Sequence, residues 1–74
     1  MTAQESLSRD RRMVQRIHSL MQADPRIGDL TVRIVQSRVI VEGTVADADD
    51  RDRILPLVRR AGVMAQVQND VRVA

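Results

Sequence analysis

The 74-residue chain has no cysteine, phenylalanine, tyrosine, tryptophan or lysine, and only one histidine, His18. Each absence excludes something. Without cysteine there is no disulfide and no thiolate metal site. A single histidine rules out a multi-histidine ligand set. Without aromatics, the core must be built from Val, Ile, Leu, Met and Ala. The chain also has no stacking platform of the kind that reads single-stranded nucleic acid. Apolar runs are short: Val39-Ile40-Val41 is typical, far below the roughly 18 residues needed to span a bilayer. The start, Met1 to Ser6, lacks the charged and then apolar segments of a secretion signal. The expectation is a cytoplasmic chain, peripheral wherever it meets a membrane.

The missing lysines also explain the charge. All 12 basic residues are arginine, set against 10 acidic ones, for a net charge of +2. Between neutral pH and the arginine pKa of roughly 12.5 almost nothing titrates. The sequence pI of ≈ 11.0 therefore reports missing titratable groups, not a strong positive field. Chains this short bury little core and are marginal without a staple or a partner. Oligomerisation is the route left open.

What is present is a clear order of periodicities. Residues 1–7 are polar and read as a flexible tail, with one domain over 8–74. Thr2 or Ser8 opens a first helix, in which Met13, Val14, Ile17, Leu20 and Met21 recur at helical spacing. Asp24-Pro25 stops it, because the residue before proline avoids the helical region. Period two follows. Leu30, Val32 and Ile34 share one face, Gln36-Ser37 makes a two-residue turn, and Val39, Val41, Gly43 and Val45 return. That turn pairs Ile34 with Val39, Val32 with Val41 and Leu30 with Gly43, and sets Arg33 diagonal to Glu42. A second helix is predicted from the N-cap Asp47 to Ala61, with Asp49 and Asp50 at its positive end and Arg59 and Arg60 at its negative end. Pro56 lies inside it and demands a kink or about 3 kcal/mol. Gly62 ends the helix. A final alternating strand buries Val67, Val71 and Val73, and turns Asn69 inward, where its amide must find partners.

Residues 10–74 resemble the BON domain, a bacterial module of envelope and stress-response proteins. The resemblance is carried by Asp10 with the Met13-Val14-Ile17-Leu20 stripe, Ala23-Asp24-Pro25, and Leu30-Thr31-Val32. It continues through Val39-x-Val41-x-Gly43-Thr44-Val45, Gly62-Val63 and Val67-x-Asn69-Asp70-Val71. The family usually has glycine in the hairpin turn, where this chain has Gln36-Ser37. The resemblance implies an α+β fold of order αββαβ, with two helices on one face of a mixed three-stranded sheet. It also implies no enzymatic activity, no cofactor, and association with phospholipid surfaces or other proteins.

Two kinds of site are then expected. Arg9, Arg12 and Arg16 on the first helix, with Arg59 and Arg60 on the second, form a candidate phosphate-binding set, because guanidinium meets phosphate in a two-pronged fork. Exposed Val35 and Ile40, together with the sheet edges, form a candidate self-association surface. Gly43 reads as making room where a helix crosses the sheet. The acidic run Asp47, Asp49, Asp50, Asp52 lacks the glycine and distal glutamate of a calcium loop and reads as helix capping. His18 has no second ligand or nucleophile beside it and reads as structural. The alternative class is a small basic protein associated with nucleic acid. The chain has neither a GxxG loop nor a long basic helix to support it.

Overall fold

A computed structural model describes the backbone of residues 3–27 and 30–74, with side chains from Ser8 onward. The apolar stripe at helical spacing folds as α1 (Ala3–Gln22), so helix reaches into the segment read as a tail. Ile17 and Met21 are fully buried, and Met13, Val14 and Leu20 pack beside them. Ala3–Gln22 ends just before Asp24-Pro25. There the Asp24 carboxylate accepts the Arg26 N–H at 3.0 Å and the Asp24 carbonyl accepts the Ile27 N–H at 3.1 Å.

The period-two stretches form β1 (Thr31–Val35) and β2 (Arg38–Val45). They pair antiparallel with Ile34 opposite Val39 and Val32 opposite Val41, as the turn length required; pairing ends at Thr31–Glu42, one residue short of Leu30. Gln36 and Ser37 have φ of +51° and +63°, a type I′ turn whose twist matches the strands. The last strand, β3 (Gln66–Val73), pairs with β2 in parallel, from Arg38–Gln66 to Val45–Val73. The sheet order is β1-β2-β3. The fold is thus α+β, a mixed three-stranded sheet under a helical layer, in the order expected from the pattern.

Three corrections concern this layer. The second helix is two pieces, α2 (Ala48–Asp52) and α3 (Ile54–Arg60), broken at Arg53. Pro56 explains the break. A continuous helix would need its missing N–H and would drive its ring into the Asp52 carbonyl. After the break it is the third residue of α3, where N–H groups have no helical acceptor anyway. Asp47 holds the N-cap place in extended conformation, yet its side chain makes no capping bond, so only its charge acts on the helix end. Gly43 is exposed rather than crossed by a helix. Its φ of +141° is what requires glycine.

Gly62 behaves as expected: with φ +83° its N–H closes on the Arg59 carbonyl at 3.0 Å and ends α3. Asn69 does not turn inward as expected: it is exposed, because α2 reaches only the strand's outer edge there, and its amide is bonded at the surface. Its Nδ2 donates to the Arg51 carbonyl at 2.9 Å, and its Oδ1 accepts the Val71 N–H at 3.2 Å. One side chain therefore serves the end of α2 and a backbone donor of the edge strand. Val71 is buried and Val67 half-buried, while Val73, the last residue of that edge strand, is exposed. The core joins Ile17 and Met21 of α1, Val32, Val39, Val41 and Val71 of the sheet, and Ile54, Leu57, Val58 and Ala61 of the second helical layer.

Candidate anion-binding groove

Helix geometry alone puts Arg12 and Arg16 one turn apart on α1. Packing decides what faces them. α1 lies against α3, and between the two helices runs an open groove of ≈ 590 Å³. Arg12, Gln15, Arg16 and Ser19 line one wall and Arg60 the other, with Leu20 and Ala61 also lining it. A second hollow, lined by Leu20, Ala23, Asp24, Pro25, Arg53, Leu57 and Arg60, shares Leu20 and Arg60 with the groove, and the Asp24 and Arg53 side chains in it form an ion pair. The Arg16 guanidinium reaches over the end of α3, with Nη1 3.9 Å from where a Cβ on Gly62 would stand. There the negative end of the helix dipole favours a cation. Among the described residues no carboxylate lies within 4.0 Å of Arg12, Arg16 or Arg60, although four ion pairs form elsewhere.

Of the five arginines expected to bind phosphate, then, three converge. Arg9 is exposed on α1, before the first described core contact at Met13, and does not line the groove. Arg59 is excluded by its bonds. It is half-buried, and its Nη1 donates to the carbonyls of Val63 at 2.9 Å and Ala65 at 2.7 Å. It holds the loop that follows α3 and does not line the groove. Adjacent helical residues point about 100° apart, so Arg59 and Arg60 cannot share a face.

The expected self-association pair separates as well. Val35 is exposed, but Ile40 is only 7 % exposed and lies outside the main core. It occupies the centre of the open sheet face, between Arg33 on β1 and Gln68 on β3. Polar side chains close over it. Arg33 Nε donates to Glu42 Oε1 at 2.6 Å, the ion pair expected from the register. Arg38 Nη1 donates to Gln68 Oε1 at 3.3 Å, and Gln68 Nε2 donates to Asp70 Oδ2 at 2.8 Å. Long polar side chains shield an apolar one by laying their stems along it.

One charged residue escaped the sequence reading. Asp50, counted with its neighbours as a helix-end charge, is buried at 3 % exposure. Its Oδ1 has no hydrogen-bond partner and faces Arg53 Nη1 at 4.0 Å. Arg53 thereby stands between Asp50 and Asp24. Nothing in the acidic run distinguishes Asp50 from Asp49 or Asp52 except its spacing of four from the core residue Ile54. His18 is half-buried in a shallow depression with Val14, Gln15 and Ser19. Among the described residues, no group of three or more His, Asp or Glu side chains is arranged to hold a metal ion. None of the described helices is long and apolar enough to cross a membrane. No family model matches the chain, and no curated protein matches it in sequence.

Proposed function

We propose that the protein is a non-enzymatic, BON-like binding module that attaches peripherally to anionic phospholipid surfaces through Arg12, Arg16 and Arg60. One observation carries this reading: guanidinium groups from two helices line one groove with no carboxylate partner among the described residues. Arginine prefers phosphate because its planar fork meets two oxygens at once. Each basic residue near such a surface contributes about 1 kcal/mol. Three give reversible attachment that decays over a Debye length of roughly 10 Å at 0.1 M salt. The lack of aromatics removes the usual means of inserting into the interface.

Vesicle flotation tests the proposal. Wild-type protein should float with anionic vesicles at low salt, lose binding at high salt, and ignore neutral vesicles. The triple variant Arg12→Gln, Arg16→Gln, Arg60→Gln should lose binding while keeping its thermal transition, because none of the three belongs to the core. Arg9→Gln alone should weaken binding less than Arg60→Gln alone. Wild-type protein that ignores anionic vesicles at low salt removes the proposal.

A further inference from the structure

The shape of the arginine cluster says more than its charge. A patch that only senses a negative surface needs cations on one outward side. Here they stand on opposite walls, Arg12 and Arg16 on α1 and Arg60 on α3. Gln15 and Ser19, which add uncharged donors, stand on the α1 wall, and Leu20 and Ala61 supply apolar lining. Arg12 and Arg16 repel each other at a spacing of four. The end of α3 offsets this for Arg16 alone. A group that relieves all three must enter between the walls and carry enough acceptors for three forks. A phosphodiester has two terminal oxygens and one charge. A phosphomonoester has three terminal oxygens and close to two charges at neutral pH.

Resting on the proposed function, we infer that the groove recognises a phosphomonoester dianion in preference to a phosphodiester. The terminal oxygens meet Arg12 and Arg16 on one side and Arg60 on the other, and the esterified oxygen points out along the groove mouth. The ester can belong to a lipid headgroup or to a free molecule, because the shared chemistry is the unsubstituted phosphate.

The test compares phosphatidic acid vesicles with phosphatidylglycerol vesicles adjusted to the same surface potential, so that bulk charge cancels. The protein should bind the monoester vesicles about tenfold more tightly, the factor given by roughly 1.4 kcal/mol, about the low end for one added charge-assisted hydrogen bond. Arg60→Gln should erase the preference and leave weak, charge-driven binding to both. Arg60→Lys, which keeps the charge but loses the fork, should lose most of the preference too. Unchanged melting of both variants checks the fold. Glycerol 3-phosphate in solution then separates the sources. Arg60-dependent binding that competes with vesicles supports a free ester as a ligand, and binding to vesicles alone supports the lipid headgroup. Equal affinity for the two vesicle types at matched potential overturns the inference and leaves the proposed function standing. Binding to neither overturns both.

Discussion

The hairpin turn is where single residues work hardest against their own preferences. Gln36 and Ser37 both sit at positive φ, +51° and +63°, a region that costs an L-residue roughly 1–2 kcal/mol. The turn type demands it, because only primed turns follow the twist of the strands. Replacing Gln36→Asn together with Ser37→Gly should relieve the strain at both sites. Part of the gain is lost to the greater freedom of glycine in the unfolded chain. A net gain of about 1 kcal/mol should remain, which raises Tm by roughly 4–8 °C in a domain of this size. A thermal melt that is unchanged or lower shows that the turn is not strained. Arg59 and Arg60 make a second point at this scale: neighbours of identical chemistry do opposite things, one bonded to loop carbonyls and one open to the groove.

Between α2, α3 and β3 the chain solves a problem that it sets for itself. Pro56 forbids a continuous helix, and the break at Arg53 disturbs the carbonyl pattern at the end of α2. Asn69 reaches across from β3 to the Arg51 carbonyl, and the same amide accepts the Val71 N–H. Asn69→Ala should therefore remove both bonds, leaving the Arg51 carbonyl its backbone partner and the Val71 N–H to water, and cost about 0.5–1.5 kcal/mol in equilibrium unfolding. A cost below a few tenths would show that solvent satisfies both groups equally well. The effect should also loosen α2 from the sheet, which hydrogen exchange at residues 48–52 would report as faster opening.

At the scale of the molecule, the core is a single aliphatic cluster in a chain with neither aromatics nor disulfides. Domains of this length rarely hold more than about 3–5 kcal/mol from one core. β1 and β3 both flank the sheet order with one side unpaired by another strand, and such edges are sites of association. The expectation of a homo-oligomer now rests on these edges and on Val35, because the polar layer over Ile40 withdraws the other half of the expected face. If the chain self-associates through an edge, its melting temperature should rise with protein concentration, as mass action requires. A concentration-independent melt together with a monomer mass by native measurement would end that reading.

The sequence by itself determined the elements and much of their pairing. The stripe Met13 to Met21, the Ile34–Val39 and Val32–Val41 pairs, the Arg33–Glu42 ion pair and the stop at Gly62 all follow from periods of 3.6 and 2, and from turn chemistry. These are local relations, set by residues within reach along the chain. Tertiary structure alone decided which arginines meet, that Asp50 is buried, that Ile40 is covered, and that Gly43 needs its glycine for a dihedral angle and not for space. Each depends on how α1 and α3 cross and on what lies over a given face of the sheet. A periodicity says which residues share a face. It does not say what that face will meet, because the partner comes from a distant part of the chain and is chosen by how the whole core packs.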